Sequence, residues 1–307
     1  MIQPIGIAIV VMFIFLTMIS FYFSAKVIYP DVIPSEKTKE MEIQSEKINL
    51  SEFDSWKKEE IQVPSPFGYS LFGLFLPFED SKKTVIIAHG ITYSLYGSVK
   101  YVKLFRSRGF NVLIYDHRNH GRSGGNNTTF GFYEKHDLNA VIHWVRLRVG
   151  QESIIGTMGE SMGAAIVIQN AAIQPDLQFV IADCPFSDLM QLLAYRARIE
   201  YHLPAFPILY MASWASYLLS GFKFQFVSPI KDMSASHSPI LIIHGKADTY
   251  IPQDMSIQMA NVRRPALTQI YLAPNSGHAE SIIKNPEEYD RVVGDFLSQI
   301  KIPLNHQ

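Results

Sequence analysis

A serine between two glycines at residues 159–163 is the first candidate for chemistry in this sequence. The run GESMG follows a short apolar segment, Ser153–Gly156, and precedes a helical pattern, Met162–Ala172. A G-x-S-x-G run between a strand and a helix is typical of a sharp turn that exposes a serine hydroxyl, because small residues relieve crowding there. We therefore predict that Ser161 is a nucleophile; an ordinary turn serine is the alternative. We interpret Glu160 as a cap of the following helix, where a carboxylate is favourable; a role in tuning the surroundings of the serine is the alternative.

The two groups that a serine nucleophile needs follow later in the chain. A base must take the hydroxyl proton, and a carboxylate must hold the base in the correct tautomer. His278 lies in a loop after the predicted strand Gln269–Leu272, and Asp248 lies in a loop after the predicted strand Ile240–Ile243. We predict that His278 is the base and Asp248 its acid. Three further acids stay open as alternatives: Asp183, Asp188 and Asp254.

Acyl transfer from a carbonyl also needs hydrogen-bond donors for the developing oxyanion. The backbone N–H of Met162, next to the serine, is the first predicted donor. The second is expected from the loop after an early strand. The loop HGIT at residues 89–92 follows the predicted strand Thr84–Ala88 directly, so we predict the N–H of Ile91, with Thr92 as a second possibility.

Short runs rich in valine and isoleucine alternate with helical patterns along the chain. The elements that these runs and patterns predict must position the candidate catalytic groups. Such runs are typical of strands buried on both faces of a parallel sheet. Strand alternating with helix predicts an α/β fold with a mostly parallel, doubly wound sheet between helices. The predicted strands are 59–63, 71–76, 84–88, 112–115, 153–156, 179–182, 240–243 and 269–272, and the predicted helices are 99–108, 137–148, 162–172, 254–261 and 286–300.

One long segment breaks this alternation. Residues 187–237 separate two predicted strands and exceed the usual length of a connection. The segment is apolar and contains nine tyrosine, tryptophan and phenylalanine residues. We predict a helical lid inserted over the ends of the strands.

The first charged side chain of the sequence is Lys26. About 20 apolar residues cross a hydrocarbon core of about 30 Å, and Ile5–Phe23 supplies that length. We predict a transmembrane anchor at 1–25, a stalk or surface helix at 26–58 and a catalytic domain at 59–307; a cleaved signal peptide is the alternative. The lysines after the anchor favour an internal domain, but acids interleave with them, so the side of the membrane stays open.

Composition excludes several other classes of protein. The formal net charge of −1 argues against a nucleic-acid partner, which would need a basic surface. The single cysteine, Cys184, cannot form an intrachain disulfide, and no cysteine and histidine cluster has the spacing of a structural zinc site. We therefore predict no metal and no cofactor. The oligomeric state is not determined by the sequence.

The motifs in their order resemble the α/β-hydrolase superfamily over residues 60–300. They are HG at 89–90, YDHRNHGRS at 115–123, GESMG at 159–163, HGKAD at 244–248 and GH at 277–278, and the chain order serine, aspartate, histidine is that of the superfamily. Asn119 departs from the usual glycine. The run DCPFSD at 183–188 also resembles the D-x-P-F-S segment of a membrane-anchored branch.

This resemblance implies a serine hydrolase that cleaves a carboxylic ester or a related acyl bond. The lid and the anchor suggest a small-molecule or lipid-like acyl substrate of medium chain length. A peptidase or a protein thioesterase with the same triad is the first alternative. A non-catalytic scaffold that keeps the fold is the second.

Overall fold

The computed structural model of the protein describes residues 2–262 and 267–304. Eight strands within these ranges form one sheet. They are β1 (Glu59–Pro64), β2 (Ser70–Leu76), β3 (Lys83–Ala88), β4 (Asn111–Tyr115), β5 (Ile154–Glu160), β6 (Phe179–Asp183), β7 (Ile240–Gly245) and β8 (Thr268–Ala273). Their order across the sheet is β1-β2-β4-β3-β5-β6-β7-β8.

The sheet is antiparallel at one edge and parallel elsewhere. Strand β2 pairs antiparallel with β1 and β4, and the strands from β4 through β8 pair in parallel. Every residue of β3, β4, β6 and β7 is buried, which is why these strands are apolar runs with no alternation. The predicted strands are confirmed, and so is the mostly parallel α/β fold. All carboxyl ends of β3 and β5–β8 therefore meet at one edge.

Helices cover both faces of the sheet. Helices α5 and α6 contribute to the core on one face, and α4 and α12 contribute to the core on the other. The helices of the described residues are α1 (Ile2–Ile28), α2 (Ser35–Gln44), α3 (Leu50–Ser55), α4 (Val102–Arg106), α5 (Glu134–Val149), α6 (Met162–Ala171), α7 (Leu189–Tyr201), α8 (Ile208–Ser220), α9 (Pro229–Ala235), α10 (Gln253–Asn261), α11 (Ser281–Lys284) and α12 (Pro286–Gln299). A 3₁₀ helix, Leu95–Tyr101, precedes α4.

Helices α7, α8 and α9 form the insertion between β6 and β7. Asp188 begins α7, since its carboxylate accepts a hydrogen bond from the N–H of Gln191 at 3.2 Å. Helix α8 ends at Gly221, which adopts the left-handed conformation (φ 79°) that favours glycine at this position. Residues with ordinary capping chemistry thus set the start of α7 and the end of α8.

The N-terminal helix α1 is the one helix among the described residues that is long and apolar enough to cross a membrane, over Pro4–Ile28. Length and composition alone fit either a membrane anchor or a signal sequence. Its first part makes few contacts with the domain. Its last part packs against α8, with Ser20, Ser24 and Ile28 buried at every fourth position.

The segment between α1 and the sheet differs from a solvated stalk. Helices α2 and α3 lie on the domain, and Ile48 and Phe53 are buried in the core that contains α4 and α12. Thr38 of α2 makes a short hydroxyl contact with Ser94, next to the 3₁₀ helix. Only a few apolar residues attach α2 and α3 to the domain. They are scattered among charged residues, and for this reason the sequence of this segment resembles that of a linker. The boundary at residue 58 itself stays a prediction.

Candidate active site

Ser161 lies at the turn between β5 and α6 and has a strained backbone. Its φ is 55° and its ψ is −116°, a region that L residues adopt only where the surrounding structure enforces it. The N–H of Ser161 donates to the carbonyl oxygen of Asp183 at 2.8 Å, which ties the turn to the end of β6. The structure therefore presents the Ser161 side chain at the carboxyl edge of the sheet.

The flanking glycines are required by close backbone contacts. A Cβ atom at Gly159 would lie 2.2 Å from the carbonyl oxygen of Gly163, and one at Gly163 would lie 2.1 Å from the carbonyl oxygen of Ala88. No side chain fits at either distance. Both glycines of the G-x-S-x-G run thus let β5, α6 and β3 approach closely enough to form the turn.

The structure brings Ser161, His278 and Asp248 together in one hydrogen-bonded chain. The Nε2 atom of His278 lies 2.9 Å from the Oγ atom of Ser161, and its Nδ1 atom lies 2.7 Å from Oδ2 of Asp248. A carboxylate only accepts, so Nδ1 carries the proton and Nε2 of the neutral ring is left as an acceptor. In that tautomer, the Ser161 hydroxyl donates to Nε2.

Asp248 is held ionised and in place by its neighbours. The N–H groups of Tyr250 and Ile251 each donate to Oδ1 at 2.9 Å. Burial acts to raise the pKa of Asp248, but hydrogen bonds from His244 and His278 and the backbone outweigh it, so the pKa lies well below its ordinary value. The Nε2 atom of His244 is 3.3 Å from the carboxylate and closer, at 2.8 Å, to the carbonyl oxygen of Ile251, so we regard His244 mainly as a support of the loop.

The structure does not bring the three alternative acids to His278. Asp183 is fully buried and accepts hydrogen bonds from the hydroxyls of Tyr101 and Tyr289 at 3.2 and 3.0 Å. Burial and the nearby carboxylate of Glu160 raise its pKa to about 6. Asp188 caps α7, and Asp254 lies in the first turn of α10.

The two predicted oxyanion donors, Ile91 and Met162, lie in the segments that follow β3 and β5. Met162 is the first residue of α6, where backbone N–H groups have no partner within the helix. Ile91 follows β3 by three residues and borders the apolar cavity beside the site. Thr92 is a poorer donor, because its N–H already donates to Nε2 of His120 at 3.1 Å.

Cys184, Asp248 and His278 are the one set of possible metal ligands that cluster among the described residues, with their ligand atoms within 4.8 Å of one another. Two of those atoms, Nδ1 of His278 and Oδ2 of Asp248, are 2.7 Å apart. Ligands of a first-row metal each lie about 2 Å from the ion, so a cation cannot enter without breaking this hydrogen bond. The arrangement fits a histidine–carboxylate pair better than a metal centre.

No sequence pattern singles out Lys100, which connects the loop of Ser161 with the loop of His278. Its buried ammonium forms an ion pair with the carboxylate of Glu160 and donates to the carbonyl oxygen of Ala279 at 3.2 Å. Glu160 also accepts from the Tyr101 hydroxyl at 2.6 Å. These contacts fit a role of Glu160 in the surroundings of the serine, the second possibility for this residue, better than a role in capping α6 alone. One cation joins the residue before Ser161 to the residue after His278.

Replacing Lys100 with methionine is expected to lower kcat about 10- to 100-fold with little change in KM, because a misplacement of about 1 Å between reacting groups costs up to about 100-fold. The melting temperature should fall as well, since breaking a buried ion pair costs about 3–5 kcal/mol. Steady-state kinetics on a soluble p-nitrophenyl ester, below the lowered melting temperature, measures the effect.

Lys103→Met is the matched control for this substitution. Lys103 follows on α4, and its side chain is 72% exposed and paired with Glu52 at the surface. Partial rescue of kcat by Lys100→Arg would support the role of the cation. An unchanged kcat in Lys100→Met would show that Lys100 serves stability alone.

An apolar cavity of about 270 Å³ lies next to the site. Ile91 and Tyr250 border it on the side of the triad, and the ring of Tyr250 is 4.9 Å from that of His278. Its other walls come from α7, α8 and the end of α1, through residues that include Leu193, Leu209 and Val27. Three parts of the chain that are distant in sequence therefore enclose it.

A mostly parallel sheet with this strand order and a strained serine between β5 and α6 define the hydrolases of the α/β class. A model of the family described as alpha/beta hydrolase fold matches residues 83–195. The chain is 40% identical over 250 residues to YqkD of Bacillus subtilis, an uncharacterised protein, covering 81% of this chain and 82% of that one. The chain belongs to the α/β-hydrolase family.

Two further comparisons relate the chain to enzymes of known type. An esterase of Pyrococcus furiosus superposes with a TM-score of 0.68 at 26% identity, covering 82% of this chain and 95% of that one. The lysophosphatidylserine lipase ABHD12 of Danio rerio is 21% identical over 237 residues, covering 72% of this chain and 59% of that protein. The fold and these neighbours are those of an esterase- or lipase-like hydrolase. Membership of the branch with the D-x-P-F-S segment stays a prediction.

Proposed function

We propose that this protein is a membrane-anchored serine hydrolase that cleaves a carboxylic ester of a lipid-like acyl compound. The observation that carries the proposal is the continuous hydrogen-bonded chain from the Ser161 hydroxyl through the His278 ring to the Asp248 carboxylate, with distances of 2.9 and 2.7 Å. Such a chain gives a serine hydroxyl the base that it lacks on its own.

In the first half of the reaction, Oγ of Ser161 forms a bond to the ester carbonyl carbon while Nε2 of His278 takes the hydroxyl proton. The negative charge on the former carbonyl oxygen is stabilised by the N–H groups of Ile91 and Met162. The ionised Asp248 stabilises the imidazolium. Collapse of this intermediate breaks the ester C–O bond, and His278 returns the proton to the leaving alcohol.

In the second half, water replaces the alcohol. His278 takes a proton from the water, whose oxygen attacks the acyl carbon bound to Ser161. Collapse breaks the bond to Oγ, and the proton returns to Ser161 as the acid leaves. These steps need only the residues of the chain and water, in line with the prediction of no cofactor.

The size and walls of the cavity support an acyl chain as the bound part of the substrate. The cavity of about 270 Å³ is far larger than the ~10–15 Å³ that one water molecule needs on the same measure, so it has room for a group of many atoms. Most of the residues that line the cavity belong to the insertion, and these are mainly aliphatic or aromatic, with Arg196 and Glu200 as the charged members. The lipase activity in the name of the ABHD12 relative agrees with such a substrate.

The division of the chain follows from the same proposal. Residues 1–25 anchor the protein in a membrane, residues 26–58 connect the anchor to the domain, residues 59–307 carry the reaction, and residues 187–237 act as a lid over the cavity. The long apolar surface of α1, with Ile7, Phe13 and Met18 more than 60% exposed, supports an anchor, because water would contact that surface otherwise.

Labelling with a fluorophosphonate probe tests the proposed nucleophile. The full-length protein in detergent is expected to bind the probe covalently at Ser161, and Ser161→Ala should abolish labelling. Ser187→Ala is the control, because Ser187 is also buried and follows a strand. Folded protein that is not labelled would favour a non-catalytic scaffold.

A panel of matched acyl compounds separates the remaining alternatives. We expect a higher kcat/KM for p-nitrophenyl esters of medium chain length than for the acetate ester, because the longer acyl chain would occupy the apolar cavity. A preference for thioesters would favour a protein thioesterase. A preference for aminoacyl amides would favour a peptidase.

A further inference from the structure

Helix α8 presents a broad apolar face to the outside of the protein. None of its thirteen residues is charged. Trp214 is 58% exposed and Leu218 is 72% exposed. The other large exposed side chains on or beside this helix are Phe206, Tyr210, Tyr217 and Leu219. A contiguous exposed face of this kind marks a surface that binds a partner or a membrane.

Helix α8 packs directly against α1, the candidate membrane helix. The hydroxyl of Ser20 donates to the carbonyl oxygen of Ile208 at 3.3 Å, and the ring of Phe23 lies 5.0 Å from that of Tyr201 at the end of α7. Two small residues of α1, Ser20 and Ser24, are buried. Close packing through small residues is typical of helices that associate within a bilayer.

We propose that the outward face of α8 is inserted into the lipid bilayer beside α1 and that the acyl substrate reaches Ser161 sideways from the bilayer. The proposal rests on the anchoring of α1 in a membrane. Ser20 lies eight residues before the end of α1, which is about 12 Å along the helix axis. The start of α8 therefore lies beside the part of α1 nearest the domain, level with the nearer leaflet whenever α1 spans the membrane.

The composition of α8 fits this depth. Tryptophan and tyrosine are enriched where hydrocarbon meets headgroups, and α8 carries Trp214 with two tyrosines on its exposed side. The ammonium of Lys223, just after α8, lies 3.4 Å from the centre of the Trp214 ring. Lys26 lies in the last turn of α1. The two lysines place positive charge where lipid phosphates would meet the domain.

The cavity beside Ser161 continues this surface. Phe23 and Val27 of α1 and Leu209 and Ala212 of α8 form its outer wall, and Ile91 borders its inner end. A lipid chain that reaches the cavity along α1 and α8 thus meets mainly apolar side chains, with Lys26, Arg196 and Glu200 as the charged residues of the wall. The chain would pass from the bilayer to the cavity without crossing bulk water.

Quenching of tryptophan fluorescence by brominated lipids tests the insertion of α8. The full-length protein is reconstituted in phosphatidylcholine vesicles whose acyl chains carry bromine near the headgroup. We expect strong quenching of the wild type that is lost in Trp214→Phe and kept in Trp144→Phe, because Trp144 packs on Phe75 in the domain. Ser161→Ala should be quenched like the wild type, so this result does not depend on catalysis.

Absence of quenching in vesicles that retain the protein after carbonate extraction would overturn the proposal, because α1 would then be inserted and α8 not. A different outcome is that Trp214 is not quenched but its emission shifts with the density of protein in the vesicles. This result would assign the outward face of α8 to contact with a second copy of the chain.

A charge on the face of α8 tests the route of the substrate. Leu218→Glu is expected to lower the rate on a long-chain ester embedded in vesicles at least about fivefold, since an acidic residue is unfavourable in the bilayer, and to leave the rate on a soluble short-chain ester unchanged. Leu147→Glu is the matched control, because Leu147 is 67% exposed on α5, outside the insertion. Equal rates of Leu218→Glu and wild type on the embedded ester would contradict entry from the bilayer.

Discussion

Replacing His278 with alanine is expected to lower kcat/KM for a soluble ester by about 10⁴- to 10⁶-fold, the range found when one member of a serine triad is removed. The reason is the position of Nε2, 2.9 Å from the Ser161 hydroxyl, where in the proposed mechanism it accepts the proton in the first step and takes one from water in the second. Steady-state kinetics with the purified full-length protein in detergent provides the measurement.

His143→Ala is the control for this substitution. His143 is exposed on α5 and should be replaceable without loss of activity. The double variant of Ser161→Ala and His278→Ala should be no slower than either single variant, because residues that act as one unit have strongly non-additive effects. Retention of more than about 1% of activity in His278→Ala, far above the residual of triad variants, would contradict the proposed mechanism.

The groups at the carboxyl edge of the sheet could be predicted because each follows a strand directly. Parallel strands bring their carboxyl ends together whatever lies between them in sequence. Ser161 follows β5, Asp248 follows β7 and His278 follows β8, so identifying the strands was enough to expect the three side chains near one another.

Contacts between irregular segments could not be predicted in the same way. Lys100, Glu160 and Ala279 lie on a 3₁₀ helix, a strand end and a loop, and no periodicity relates their positions. Lys100 resembles a surface cation in the sequence. Only the packing of the chain shows that its ammonium is buried between the residue before Ser161 and the residue after His278.

The composition of the N-terminal region does not predict how this region packs on the domain. Ile48 and Phe53 attach residues 35–55 to the domain, but the acids and lysines around them lower the apolar content of the segment. The contact between α1 and α8 joins residues about 190 apart. Apolar content predicts a membrane helix at α1 and a lid at the insertion. It does not predict that the two are in contact, because an apolar helix can pack against many different surfaces.

Replacing Asp248 with asparagine is expected to lower kcat about 10⁴-fold while the fold remains intact, as for the equivalent change in serine proteases. An amide group at this position can donate to Nδ1 of His278, at 2.7 Å in the wild type. The ring then carries its proton on Nε2, and Nε2 no longer accepts the proton of Ser161. Kinetics of the variant at pH 7, with thermal unfolding to check the fold, measures the effect.

The low pKa of Asp248 adds a pH dependence to this prediction. Its pKa in the folded protein lies below the ordinary value of about 4. The ionised carboxylate therefore contributes stability at every pH above about 4, and this contribution is lost only as the pH falls below that value towards the folded-state pKa. The difference in melting temperature between wild type and Asp248→Asn should accordingly shrink as the pH falls below about 4.

The three other acids supply matched controls for the assignment. Asp254→Asn and Asp188→Asn should keep most of the activity, because these carboxylates lie at the starts of α10 and α7. Asp183→Asn should act mainly on stability, since Tyr101 and Tyr289 hold its side chain in the core. If Asp183→Asn reduced kcat more than Asp248→Asn did, the carboxylate at the end of β6 would be the acid of the triad, and His278 would have to move towards it during the reaction.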